Sequence, residues 1–316
     1  MMSRQELEAK QVSIYFGAVL LGLIAAWLAP GTRRLSVAIE PLLALMLFAT
    51  FLQVPLAQLR GALRDLRFVR VLLLANFVAV PLLVAALLPW VPDDPVIRLG
   101  VLLVLLAPCI DYVVTFAHLG RADARALLAA TPLLLAVQML LLPLYLGVFL
   151  GPQARQWMAW EPFLRAFVTL IVLPFLLAAG CQAWGRRGHV GARVVHGLGI
   201  LPVPATAAVL AVVVAAMTPE ISQAWGAVRA VAPLYIAFAL AAPMLGWMLA
   251  RSLPLAQRRA VAFSTATRNS LVVLPMGLAI PGALPVLPAV ILTQTLIELA
   301  AELIYVKVAT TLAPPR

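Results

Sequence analysis

Two short polar stretches interrupt long apolar runs in this sequence, and they contain the residues best suited to chemistry. The first, LLAPCIDYVVTFAHLG, includes Pro108, Cys109 and Asp111. The second, AFSTATRNSLVVLPMG, includes Arg268 and Asn269 among several hydroxyl side chains. A carboxylate and a guanidinium in apolar surroundings normally face a cavity or pair with each other, because an isolated charge is costly there. The two stretches are therefore the first candidates for a binding site.

A pair of carboxylates forms a second candidate group. Glu298 and Glu302 are four residues apart, on one face of a helix, and Gln294 lies one turn earlier. Two carboxylates this close in a medium of low polarity favour retention of a proton on one of them, which suits a proton relay. Alternatively, Glu302 lies near the end of the apolar run and is solvated or paired with Lys307. Glu298 is deeper and is the stronger candidate.

The sequence lacks the motifs of several other kinds of functional site. The sequence contains no ligand spacing typical of a metal site, no phosphate-binding loop, no H-E-x-x-H and no G-x-S-x-G. We therefore expect no metal, no cofactor, no enzymatic activity and no ATP-driven pump. Cys109 and Cys181 lie in different apolar runs, and we predict no disulfide between them. Cys109 is either a small core residue or, beside Pro108 and Asp111, part of a cavity wall.

The composition indicates how these residues are positioned. Hydrophobic residues make up 64% of the chain and charged residues 11%, with a mean hydropathy of +1.04, against about 45–50% and 25% in soluble domains. The apolar windows are about 20 residues long, as a helix needs to cross a bilayer. We predict an all-α integral membrane protein with about ten spans. These are Val12–Ala29, Val37–Leu56, Val71–Val91, Arg98–His118, Arg125–Leu150, Pro162–Trp184, Val194–Met217, Val228–Ala250, Arg258–Ile280 and Leu284–Thr311.

The distribution of charge predicts the orientation. The net charge is +11, but the basic residues are spread over alternate loops rather than gathered in one patch, which argues against a nucleic-acid partner. Sixteen of them fall on the side that both termini share and six on the other, and Arg268 lies within a span. By the positive-inside rule we predict a cell-membrane protein with cytoplasmic termini. No small-residue cleavage site follows the first apolar run, so we predict no removable signal peptide.

The ten predicted spans divide into two related halves, residues 1–151 and 152–316. Five spans per half would give the halves opposite orientations, as in many transporters. Weak matches occur in the same order in both halves: Pro81 and Pro243 in spans three and eight, and Gln138 with Tyr145 and Gln294 with Tyr305 in spans five and ten. We therefore predict an inverted repeat within one transmembrane domain.

The repeat gives the two polar stretches corresponding places in spans four and nine. Pro108 cannot donate a backbone hydrogen bond and should break span four, and the polar run around Arg268 should lie at mid-membrane. We expect the two spans to cross, with Asp111 and Arg268 paired beside a polar cavity. A purely architectural pair that locks the halves together is the alternative. The predicted site residues are Cys109, Asp111, Arg268, Asn269 and Ser270 for substrate, and Gln294, Glu298 and Glu302 for ion coupling.

Three segments carry a resemblance to a known family. APCIDYVVTFAHLGRADARALLAATPLLLAVQMLLLPLY, TRNSLVVLPMGLAI and TQTLIELAAELIYV resemble the arsenical-resistance permeases of the bile acid/sodium symporter superfamily. The resemblance covers most of the chain. It implies ten helices, an inverted repeat, and discontinuous spans four and nine that cross at the substrate site. It also implies that Cys109 is the span-four cysteine needed for transport, and that Asn269 and Glu298 match the family's asparagine in span nine and glutamate in the last span.

The sequence also departs from that family. Pro108 stands where those permeases have an arginine, and Val272 where span nine has a glutamate. An acid, Asp111, and a base, Arg268, are present instead, with their spans exchanged. In sodium-dependent relatives, polar and acidic groups of these spans bind sodium, and a fixed guanidinium would compete with that ion. We therefore predict proton rather than sodium coupling.

These observations favour one function over its alternatives. The leading hypothesis is a secondary transporter for a small molecule or ion, most specifically proton-coupled efflux of arsenite or a related metalloid or oxyanion. An organic-anion symporter, coupled to sodium or protons, is the second transport hypothesis. A membrane sensor or scaffold is the alternative from another class, but a sensor should carry a soluble output domain and the predicted loops are too short for one.

Overall fold

The computed structural model describes residues 4–53, 65–110, 112–151, 165, 168–278, 280 and 284–311. Within these ranges the chain is helical apart from turns and an isolated antiparallel pairing of Pro108 with Arg268. Eight helical stretches of the described residues are long and apolar enough to cross a membrane. The protein is thus an all-α, multi-pass membrane protein, as its composition predicts.

The helices in chain order are α1 (Arg4–Leu28), α2 (Ile39–Gln53), α3 (Leu66–Leu74), α4 (Val80–Leu87), α5 (Pro95–Leu105), α6 (Tyr112–Leu119), α7 (Ala124–Leu150), α8 (Leu173–Gly185), α9 (His189–Leu198), α10 (Pro202–Gln223), α11 (Trp225–Leu249), α12 (Leu255–Ala266), α13 (Ser270–Leu278) and α14 (Val286–Thr311). A 3₁₀ segment, Pro30–Ala38, precedes α2. A π turn, Ala75–Ala79, joins α3 to α4 without a break.

By their internal contacts the residues form two compact units. The first unit combines Met1–Leu56 with Trp160–Gln223 and contains α1, α2, α8, α9 and α10. In it, α1 packs closely on α10, because a Cβ at Gly22 would lie 2.6 Å from the carbonyl oxygen of Ala211. The side chain of Gln182 donates hydrogen bonds of 3.2 Å to the carbonyls of Phe51 and Leu52, which ties α8 to the end of α2.

The second unit combines Ala57–Ala159 with Ala224–Arg316 and contains the remaining helices. Three of its helices begin at an aspartate whose carboxylate accepts backbone N–H groups that the first turn leaves without a partner. These are Asp65 before α3, Asp94 before α5 and Asp123 before α7. All the residues of the predicted site that the structure describes belong to this unit.

Three predicted spans are divided rather than continuous. Span four consists of α5 and α6, and span nine of α12 and α13, so both predicted breaks are present. Because each segment is short, neither span counts among the eight long helices. The predicted span Val194–Met217 lies within one stretch that is long and apolar enough to cross a membrane, His189–Pro219. It contains two helices rather than one, since α9 ends at Leu198 and α10 starts at Pro202. Glycines at 197 and 199 weaken helix continuation there, and a proline favours a new start. The predicted ends at Leu56 and Pro162 lie outside the described residues.

Candidate functional site

The two broken spans meet through their main chains. The backbone N–H of Cys109 donates to the carbonyl of Thr267 at 3.1 Å, and the N–H of Asn269 donates to the carbonyl of Ala107 at 2.7 Å. These two bonds flank the pairing of Pro108 with Arg268. They satisfy polar backbone groups that the broken helices leave open, which is what irregular backbone inside a membrane requires. The crossing of spans four and nine therefore exists as an extended backbone segment buried in protein.

Arg268 is the largest fully buried side chain at this crossing, with no exposed surface. Its Nη2 donates to Oδ1 of Asn76 at 2.9 Å and to the carbonyl of Ser264, and its Nη1 lies 3.4 Å from the carbonyl of Leu105. These described acceptors are all uncharged oxygens. The predicted partner of the guanidinium, Asp111, lies outside the described residues, so the predicted ion pair stays a prediction.

Asn76 holds the guanidinium in place. Its Nδ2 donates to the carbonyl of Leu72 at 3.1 Å and to Oγ of Ser264 at 3.0 Å, and its Oδ1 faces Arg268. Both ends of the amide are used, so its orientation is fixed. Sequence reasoning missed Asn76 as a site residue. The available signal was a lone asparagine in the apolar stretch NFVAVPLL of span three.

Glu298 of α14 binds both broken spans at the crossing. Its Oε1 accepts from the hydroxyl of Tyr112 at 2.6 Å, and its Oε2 accepts from the backbone N–H of Arg268 at 2.7 Å and from Nε2 of Gln294 at 2.5 Å. The carboxylate is 3% exposed. Three donors hold this carboxyl group in a fixed position. The structure thus brings Gln294 and Glu298 to the break in span nine, and adds Tyr112, which the sequence did not single out.

Glu302 lies one turn further along α14 and is completely buried. The idea that it is solvated, or paired with Lys307 at the surface, is therefore wrong. Its Oε1 contacts Oγ1 of Thr267, which is also 2.7 Å from the carbonyl of Phe263. A threonine hydroxyl has one hydrogen to donate. Both contacts are satisfied together if Thr267 donates to Phe263 and a protonated Glu302 donates to Thr267.

The remaining predicted residues border the same crossing. Asn269 is 1% exposed and precedes α13, where its Oδ1 lies 3.4 Å from the N–H of Val272. Ser270 accepts a 2.8 Å hydrogen bond from Thr295 of α14. Cys109 is fully buried. Pro108, Cys109, Arg268, Asn269 and Ser270 therefore lie together at the crossing.

Several buried polar atoms have no hydrogen-bond partner among the described residues. They include Nε of Arg268, Nδ2 of Asn269, Oε1 of Gln294, Oε2 of Glu302 and both side-chain polar atoms of Gln138. Buried polar atoms without partners are uncommon and are often explained by a function. Four of these residues, all except Gln138, are the ones described above at the crossing. No group of three or more His, Cys, Asp or Glu in the described part of the chain could hold a metal ion.

Comparison with known proteins identifies the family. A search of curated proteins finds no match to the chain. The sequence profile of the Sodium Bile acid symporter family matches residues 40–224, which is more than half of the chain and includes Asn76 and Cys109. Arg268 and the two glutamates of α14 lie beyond the matched residues. Members of this family are transporters, and the protein described here belongs to the sodium bile acid symporter family.

Proposed function

We propose that the protein is a proton-coupled secondary transporter that exports arsenite or a related metalloid or oxyanion through the crossing of spans four and nine. The observation that carries the proposal is the pairing of two broken spans around a buried thiol and a buried guanidinium. Discontinuous helices are how many membrane transporters present polar groups to a solute at mid-membrane. The thiol of Cys109 offers a ligand for trivalent arsenic, and Arg268 offers charge for an oxyanion.

Proton coupling is supported by the surroundings of Arg268. Uncharged oxygens such as those of Asn76, Ser264 and Leu105 are ligands that a metal cation prefers, and here a guanidinium lies among them. A permanent cation at this place leaves little room for sodium. Glu302, with one hydrogen-bond partner among the described residues, is better suited than Glu298 to take up and release a proton.

The substrate is tested in an arsenite-sensitive cell that lacks its own exporters. The wild-type protein should restore growth on arsenite, and Cys109→Ala should abolish the rescue. Cys181→Ala is the matched control, because Cys181 lies in the other unit, and it should still rescue. Rescue by Cys109→Ala, or no rescue by the wild type, would contradict the proposal that the substrate is a metalloid.

The coupling ion is tested in everted membrane vesicles. Transport should follow an imposed pH gradient and should be equal in sodium and potassium buffers. Glu302→Gln should lose the response to the pH gradient, whereas Glu40→Gln, an exposed carboxylate of α2, should keep it. Stimulation by sodium at a constant pH gradient would overturn proton coupling.

The predicted pairing of Asp111 with Arg268 has its own test. Reversing either charge alone, in Asp111→Arg or Arg268→Asp, should stop transport. The double exchange should restore it in part, because the two charges would again be complementary. A double variant as inactive as the single variants would contradict the predicted pairing of Asp111 with Arg268.

Organic-anion symport is the second candidate, and the family match favours it. A bulky organic anion would use the guanidinium of Arg268 but not the thiol of Cys109. Uptake of an amphipathic organic anion by proteoliposomes, unchanged in Cys109→Ala and lost in Arg268→Gln, would establish this candidate in place of the first.

A further inference from the structure

A groove on the second unit is separate from the crossing. It has a volume of about 390 Å³ and lies between α11, α12 and α14. Its rim is formed by large apolar side chains, of which Leu240, Met244 and Met248 are each 65% exposed and Ile304 is 62% exposed. Apolar side chains that are exposed on membrane-crossing helices face lipid. The groove is therefore open to the hydrocarbon of the bilayer.

One end of the groove holds a buried cation. Arg259 lines the groove and is 6% exposed. Its Nη1 lies 3.4 Å from the carbonyl of Arg121, while Nε and Nη2 have no hydrogen-bond partner among the described residues. Buried donors without a partner are costly, and the lining of the groove contains no carboxylate in the described part of the chain. Where Arg259 lines the groove, an anionic group from outside the protein would be complementary to its charge.

The neighbouring residues are typical of a membrane surface. Arg258 donates from Nε to the carbonyl of Trp247 at 2.8 Å, and its guanidinium lies 3.9 Å from the centre of the Trp247 ring. Tryptophan and arginine are enriched at the level of lipid headgroups. The turn between α11 and α12 lies on the side that the basic residues predict to be cytoplasmic, where the leaflet carries anionic lipids.

We propose that this groove binds one anionic phospholipid, with its phosphate at Arg259 and an acyl chain along α11 and α14. The α11 wall of the groove runs from Ala239 to Met248, which at 1.5 Å per residue is about 13 Å long. One leaflet of the hydrocarbon core is about 15 Å thick. The length of the groove, its opening to lipid and its buried cation match one acyl chain with a charged head, whereas a small soluble anion would use only the Arg259 end.

The proposal is tested by native mass spectrometry of delipidated protein titrated with phosphatidylglycerol or phosphatidylcholine of identical acyl chains. The wild type should bind phosphatidylglycerol at least tenfold more tightly, and Arg259→Gln should bring the two lipids within about twofold. Arg229→Gln, an exposed arginine at the opposite end of α11, should keep the preference. Met244→Trp, which fills the groove from an exposed position, should weaken the binding of both lipids.

Four results would overturn the proposal. The first is a wild type that binds both lipids equally, and the second is an Arg259→Gln variant that keeps the preference. The third is displacement of phosphatidylglycerol by soluble glycerol phosphate at equal concentration, because the site would then recognise a free phosphate. The fourth is unchanged lipid binding by Met244→Trp, because the groove would then not be the binding site. This variant keeps the proposal testable even where Arg259→Gln fails to fold.

Discussion

Arg268 makes hydrogen bonds at the crossing through two different groups. Its backbone N–H binds Glu298, while its guanidinium points to Asn76 and the carbonyls of Ser264 and Leu105. The sequence identified Arg268 and Glu298 as residues out of place in a membrane. It could not identify Asn76 as a partner, since the two residues are 192 positions apart and hydrogen-bond partners at that distance follow only from tertiary packing.

Removing the guanidinium should create a requirement for a cation. In Arg268→Gln, the oxygens of Asn76, Ser264 and Leu105 lose their positive partner, so we expect a lower midpoint of thermal unfolding in potassium buffer. Sodium should raise that midpoint again. Bound sodium adds about 2.7 kcal/mol to the free energy of unfolding where its concentration is a hundred times its Kd. Differential scanning fluorimetry in sodium and potassium gives the comparison. An equal response of the wild type and the variant to sodium would contradict the competition between guanidinium and cation.

The hydroxyl of Tyr112 should contribute measurably to stability. It donates to the buried carboxyl group of Glu298 at 2.6 Å, and a hydrogen bond contributes a net of about 0.5–1.5 kcal/mol to stability. Tyr112→Phe should lower the free energy of unfolding by that amount. Tyr235→Phe is the matched control, because the Tyr235 hydroxyl is buried without a partner among the described residues, and its removal should be neutral or slightly stabilising. Equal losses in both variants would contradict the assigned bond.

At the scale of helices, two tyrosines make corresponding contacts. The hydroxyl of Tyr145 on α7 donates to the carbonyl of Phe77, and that of Tyr305 on α14 donates to the carbonyl of Ala239. Each carbonyl lies four residues before a proline, Pro81 or Pro243, which cannot supply the helical N–H.

We propose on this basis that residues 1–151 and 152–316 are inverted repeats. The sequence matches alone were weak, and the paired contacts add support because they repeat between the same predicted spans.

A double-mutant cycle tests the compensation. Tyr145→Phe should cost about 0.5–1.5 kcal/mol of unfolding free energy, because the carbonyl of Phe77 loses its donor. In a Pro81→Ala background the new N–H takes over, so the same tyrosine change should cost much less. Equilibrium unfolding of the four proteins in detergent gives the coupling energy. Additive effects would show that the hydroxyl does not replace the missing N–H. Tyr305 and Pro243 provide a second, independent cycle.

The start of α3 should depend on pH. The backbone N–H of Phe68, and then the side chain of Gln257, hold the pKa of Asp65 below its ordinary value of 3.8. A lowered pKa means that this carboxylate stabilises the folded state above the unfolded value, and that the contribution is lost as the pH falls through the folded value. Asp65→Ala should therefore cost about 1 kcal/mol at neutral pH, and the difference from the wild type should shrink below about pH 4.

Thermal unfolding over a pH series measures this dependence. Asp65→Asn keeps a capping oxygen without a charge, so its stability relative to Asp65→Ala should stay constant over the same range. A wild-type advantage over Asp65→Ala that is as large well below pH 3 as at neutral pH would contradict the assigned role of the charge.

For the whole molecule, the sequence predicted the fold class and both broken spans from simple causes. Long apolar windows predicted the membrane helices, and Pro108 with the polar run around Arg268 predicted the interruptions. The sequence did not predict the π turn in span three or the break between α9 and α10, and it left open whether Glu302 is buried or solvated. These features depend on how neighbouring helices pack, which local composition does not determine.

The orientation in the membrane is open to direct test. The excess of basic residues on one side predicts a cytoplasmic C-terminus. Green fluorescent protein fused there should fluoresce, and alkaline phosphatase fused there should be inactive. The opposite pair of results would reverse the assignment and would also place the α11–α12 turn in the outer leaflet.

The backbone bonds of the crossing have an evolutionary consequence. Cys109 and Asn269 contribute N–H groups that every amino acid except proline possesses, and Thr267 and Ala107 contribute carbonyls that all residues have. The thiol and the amide can therefore be exchanged one at a time without removing the bonds that join the two spans. In a lineage built on this scaffold, the side chains at the crossing can therefore diverge while the backbone bonds between the two spans are kept.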